Sequence, residues 1–118
     1  MKKQPSKKLL IENKEILTGL YEAKTFSERL LGLIPKKNLS HNEALFFKRC
    51  KQVHSFFMSF PIDVIFLDKN NQILAIDTLK TWRLGRFYRK AQSCIEVQAG
   101  LCSKKKIQIG NSVEICDA

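Results

Sequence analysis

Between Ile62 and Leu79 the chain reads IDVIFLDKNNQILAIDTL, two apolar and β-branched runs separated by five polar residues. Ile62–Leu67 predicts a core strand and Ile73–Leu79 its returning partner. KNNQ between them predicts the reversal, because Asn tolerates the left-handed backbone that tight turns require. A hairpin buried along one whole strand commits the rest of the chain to covering it with further strands. The polar exception in the first of these runs is Asp63. An unpaired carboxylate costs several kcal/mol to bury, so Asp63 needs hydrogen bonds, a cation or a wet site.

Upstream, LLIENKEILTGLYEAKT predicts two short strands around a turn at Glu12–Lys14, and Ala44–Lys48 predicts another strand. In TFSERLLGLIP, Thr25 and Glu28 form a T-x-x-E capping box and Pro35 stops the element, which predicts a short helix. Val53–Met58 alternates residues over two apolar faces and predicts a strand that Pro61 ends, with His54 partly buried beside Phe56 and Met58. TWRLGRFYRK, residues 81–90, has no clean period and predicts a long loop lying over the sheet. Cys94–Gln98 predicts a strand, AGLCSKKK a turn or one helical turn, and IQIGNSVEIC a closing strand bent at Gly110 and Asn111. The sum is a mainly β or α+β domain, small and barrel-like, with one or two short helices.

At 118 residues the chain has the length of one domain. Residues 1–8 hold four Lys and no acid and predict a disordered basic tail, with a single β-rich domain from 9 to 118. No apolar run reaches signal-peptide or transmembrane length, so a cytoplasmic location is expected. The four Cys, at 50, 94, 102 and 116, form no CxxC pair and are expected to be free thiols, with no metal and no cofactor. The formal charge of +10 is uneven: residues 80–106 carry eight bases against Glu96 alone. Such clusters attract anionic partners, nucleic acid among them.

Three blocks carry a resemblance to a known family. ERLLGLI at 28–34 is similar to an ERxxGLM signature. VHSFFMSFPIDVIFLD at 53–68 is similar to an H-x-F-[FW]-M…IDxxFLD block, and AQSCIEVQAG with IQIGNSVEI is similar to an LExxAG…GD closing segment. LKTWRLG at 79–85 is similar to a P-W-R loop. Together, over about residues 20–116, they resemble the bacterial and archaeal domain of unknown function 192. The resemblance implies a small barrel-like β fold and no established role; many members are exported or encoded near pilus and secretion genes. Here Ile34 stands where Met is usual, Thr81 where Pro precedes the Trp, and Asn111 where the closing motif has an acid.

The candidate ligand-binding residues are Arg29, His54, Asp63, Trp82, Arg83 and Glu96. Arg29 suits a bidentate anionic partner or an ion pair to Asp63 or Glu96. His54 with Asp63 has the residue types of an acid–base pair, Trp82 and Arg83 those of a stacking platform, and Glu96 those of a partner for Arg29 or Arg83. No nucleophile elbow, phosphate loop or spaced acid pair accompanies them. The reading is a non-enzymatic binding or accessory domain, expected to be a monomer, with a polar pocket for an anionic or polar small molecule or a protein segment. Its alternatives are a basic protein associated with nucleic acid and, behind that, a hydrolase using His54 and Asp63.

Overall fold

The computed structural model describes residues 6–23, 39–56 and 58–117. Seven strands, β1 (Lys7–Ile11), β2 (Lys14–Glu22), β3 (Glu43–Lys48), β4 (Ile62–Leu67), β5 (Ile73–Leu79), β6 (Ser93–Gln98) and β7 (Val113–Asp117), accompany one helical turn, α1 (Leu101–Lys104). They form one sheet in the order β5-β4-β6-β3-β2-β1-β7, with β2 and β3 parallel and every other neighbouring pair antiparallel. The predicted fold class holds: the chain is mostly β, curled into a half-barrel.

The curl brings the two ends of the sheet together at one corner. Gln72 bridges Ser112, Ile73 N–H donates to Asn111 carbonyl at 2.9 Å and Val113 N–H to Asn71 carbonyl at 2.8 Å. Two turns set that corner. Glu12 and Asn13 reverse the chain between β1 and β2 with φ of 52° and 65°, the left-handed pair of a type I′ turn. The strain at Glu12 is offset by contacts to the corner, since its Oε2 accepts from Ser112 N–H at 2.6 Å. In the predicted KNNQ turn, Asp68 Oδ1 accepts from Asn70 and Gln72 N–H at 2.8 and 3.0 Å, and Asn71 takes the left-handed conformation at φ 58°.

Both faces of the sheet are covered, which is why β4 reads as a continuous apolar run. On the concave face Ile65, Leu67, Ile95 and Val97 pack with Leu9, Leu17 and Leu20, and Leu101 and Cys102 of α1 close one end of the lumen. On the convex face Val64, Phe66, Cys94, Leu45 and Phe47 lie under Cys50 and Met58 of one loop and Tyr88 and Ala91 of another. Phe66 and Tyr88 meet with ring centroids 4.6 Å apart. Among the described residues, no helix is long and apolar enough to cross a membrane.

Three local expectations need adjustment. Lys7 and Lys8, read as tail, are the first residues of β1, where the ladder to Asp117 and Cys116 of β7 holds them; local charge cannot reveal a partner 110 residues away. Among the described residues of Val53–Met58 no strand forms. His54 alone forms an isolated bridge, with Leu84, and the segment turns at once to hydrogen-bond through Ser55. His54 is therefore exposed, because no ladder there imposes alternation. The predicted helix at 25–35 and the tail residues 1–5 lie outside the described residues.

Candidate functional site

Asp63 occupies the concave face, next to Ile65 and Leu67 in alternation, and is 2% exposed. Its carboxylate is fully engaged. Oδ1 accepts from the Thr78 hydroxyl at 2.8 Å, and Oδ2 from Gly100 and Cys102 N–H at 3.0 and 3.2 Å. The side chain thus caps backbone groups of the turn that enters α1, pinning the lumen's plug to β4 and β5. Burial, with the Asp63 carboxylate as the second cause, pushes the Cys102 thiol up to about 12, so it stays protonated and packs as an apolar group.

Glu96 lies on the opposite face. It pairs with Val64 and Leu45 across the sheet, both in the convex-face cluster, and is 6% exposed. Among the described residues no hydrogen bond or ion pair reaches its carboxyl. Burial foremost, with the Cys50 thiol as a smaller cause, raises its pKa to about 8. Asp63 and Glu96 consequently cannot share one pocket. The expected pairing of Glu96 with Arg83 is absent as well, because Arg83 is exposed and its guanidinium donates to the Trp82 carbonyl at 3.4 Å. Arg29 lies outside the described residues.

His54, Trp82 and Arg83 do come together, and the agent is Ser55. This fully buried residue accepts the Trp82 N–H on its carbonyl at 3.0 Å and donates its own N–H to the Arg83 carbonyl at 2.8 Å. Its hydroxyl accepts Arg83 N–H at 2.9 Å and donates to the Lys80 carbonyl. With Gly85 N–H donating to the Val53 carbonyl at 2.9 Å, these bonds strap residues 53–58 to 79–85. Ser55→Ala leaves the part-buried Arg83 N–H and Lys80 carbonyl without the hydroxyl between them; it should cost about 1–2 kcal/mol, with faster amide hydrogen exchange at Trp82 and Arg83 than in β4.

The strap presents apolar surface outward. Trp82, Leu84 and Phe87 are 55%, 64% and 61% exposed. Trp82 also sits at φ 57°, a left-handed backbone that bulky side chains rarely adopt, held there by the Ser55 carbonyl. His54 stacks on Phe56 at 5.0 Å between centroids, and Phe56 reaches Trp82 at 6.3 Å. His54 Nδ1 accepts the Phe56 N–H at 3.2 Å. His54 stands on this outer strap and Asp63 in the concave interior, so the acid–base pair of the hydrolase reading does not form.

Beside the strap lies what the sequence did not disclose. Strand β5 ends the sheet, and from Leu74 to Leu79 its outer edge has no backbone partner among the described residues. A groove of about 480 Å³ runs along it, walled by Ile76–Lys80 on one side and Arg83–Arg86 on the other. Tyr88, whose hydroxyl donates to Asp77 Oδ2 at 2.7 Å, fastens the far end of the loop. Burial foremost and then Asp77 hold the Tyr88 pKa above its ordinary value, keeping that donor protonated. An open sheet edge is invisible in sequence because it depends on which strand the topology leaves last.

Residues 10–115 match the DUF192 family, described as Uncharacterized ACR. The UPF0127 protein of Thermococcus kodakarensis is 35% identical over 97 residues, covering 77% of this chain and 60% of that protein. The UPF0127 protein of Pyrococcus horikoshii is 36% identical over 98 residues, covering 78% of this chain and 83% of that one. This chain thus spans less than two thirds of the Thermococcus relative's length. Among solved structures, a protein of unknown function from Novosphingobium aromaticivorans superposes with a TM-score of 0.76 at 18% identity, covering 92% of this chain and 83% of that one. A putative transcription regulator from Sinorhizobium meliloti gives 0.71 at 15% identity over 98% of both chains. At those identities the likeness is one of fold.

Proposed function

The chain belongs to the uncharacterised DUF192 family, and from that premise we propose that it is a binding domain that takes an extended, acidic protein segment along the edge of β5. The observation that carries this reading is the groove in which a strand edge, unpaired among the described residues, faces Arg83, Leu84 and Arg86 of the strap, with Trp82 exposed next to Arg83 in the chain. Strand addition supplies main-chain hydrogen bonds to the guest, and side-chain contacts at the edge supply selectivity. Lys80, Arg83 and Arg86 line the groove against the single acid Asp77, which favours a negatively charged guest. Trp82 and Leu84 supply the apolar anchors that concentrate binding energy. A small polar molecule suits this surface less well, because Trp82, Leu84 and Phe87 offer it largely exposed apolar surface.

Trp82 is the sole Trp, so its emission reports directly on the strap. A capped heptapeptide alternating Glu and Val should shift that emission saturably. By calorimetry, Trp82→Ala should weaken binding at least tenfold, about 1.4 kcal/mol or more, while the melting temperature stays within a few degrees of the parent. Absence of saturable binding overturns the reading. Tighter binding of oligo(dT), with affinity falling steeply as salt rises, would instead assign the surface to nucleic acid.

A further inference from the structure

The concave face holds a second feature that the strap does not use. One end of the lumen is plugged by Leu101 and Cys102, but the other opens into a cavity of about 460 Å³ whose wall takes in β4, β6, β3, β2, β1 and β7 in their order round the sheet. That volume falls within the roughly 300–1,000 Å³ of small-molecule sites, and the mouth of a small barrel is a common place for one. Its floor is apolar, made by Leu20, Phe46, Leu67 and Val113. Its rim is cationic: Lys7, Lys48 and Arg49 stand against the single acid Glu22, which lies 3.7 Å from the Lys48 ammonium.

Ser93 adds a hydroxyl donor to the wall of this cavity. It lines this cavity at the head of β6 and is 6% exposed, yet its hydroxyl makes no hydrogen bond among the described residues. No buried side-chain polar atom among the described residues lacks a hydrogen-bond partner, so this hydroxyl is reached through the cavity, where a ligand oxygen can take the place of water. Lys7 on the same rim belongs to no ion pair among the described residues.

We infer that the mouth of the half-barrel binds a small amphipathic anion, with its apolar tail on the Leu20–Phe46–Leu67–Val113 floor and its anionic head between Ser93 and the Lys7 and Arg49 side chains. The site is separate from the strap, and neither proposal depends on the other.

Decanoate is the probe, with decanol as its neutral counterpart. Decanoate should raise the melting temperature saturably and move the amide resonances of Phe46, Ser93 and Val113, leaving the Trp82 indole signal in place. Decanol should bind at least tenfold more weakly, Lys7→Glu should weaken decanoate at least tenfold, and Ile115→Trp, at a residue that also lines the cavity, should fill it and abolish binding. The inference is overturned by an absence of saturable binding, by resonance shifts confined to the strap, or by decanoate affinity that neither Lys7→Glu nor loss of the head-group charge alters. Should Ile115→Trp fail to fold, the shift map of the unaltered protein decides by the same criterion.

Discussion

Replacing Asp63 with Ala should destabilise the fold by about 3–5 kcal/mol, lowering the melting temperature by more than about 10 °C. The carboxylate accepts three hydrogen bonds in a site 2% exposed. Removing it leaves the Gly100 and Cys102 N–H groups without their acceptor and unpins α1 from the sheet. Asp63→Asn should cost far less, about 1–2 kcal/mol. Its amide oxygen can accept both N–H groups while its NH₂ donates to the Thr78 hydroxyl, which rotates to accept. Denaturant unfolding of both variants checks this. An Asn variant as damaged as the Ala variant would mean that the charge itself, and not the capping geometry, matters at this position.

The second large effect concerns Glu96 and pH. Its folded-state pKa is raised from 4.5 to about 8, so the native protein holds this proton more tightly than the unfolded chain does. Between those values the unfolded state binds fewer protons, and stability must fall as pH rises. The contribution is fully present below about pH 4.5 and lost by about pH 8, with a total on the order of 5 kcal/mol from this group. Glu96→Gln keeps the shape without the ionisation. It should flatten that part of the stability profile and make the protein more stable than the parent by about 2–4 kcal/mol near pH 8. A Gln variant that is less stable at every pH would establish an ion pair at Glu96, of the kind the sequence suggests with Arg29.

Where alternation and turn chemistry are local, the fold was legible. The β4–β5 hairpin follows from the apolar run at 62–67, the β-branched return and Asn71 in a left-handed turn. The helical turn at 101–104 and the strand at 93–98 follow in the same way, and the family blocks fall inside the matched span. The strap was not legible because Val53–Met58 has strand composition but loses the competition to Ser55, whose partners lie about 25 residues downstream. The sequence suggests one constellation because it gives residue types without the faces they occupy. Asp63 and Glu96 are both buried acids, yet pairing of Asp63 with Val97 and Val64 with Glu96 puts them on opposite faces. The β5 edge and the barrel mouth needed the sheet order itself, since Lys7, Phe46, Ser93 and Val113 meet only after the sheet curls.

The binding account rests on β5 receiving another strand, and amide hydrogen exchange measures that directly. With the Glu–Val heptapeptide at saturation, outer-edge amides within Leu74–Leu79 should exchange at least tenfold more slowly, while those of β1 keep their rates. Unchanged exchange along β5, with the peptide demonstrably bound, would contradict strand addition and require a different contact for the strap.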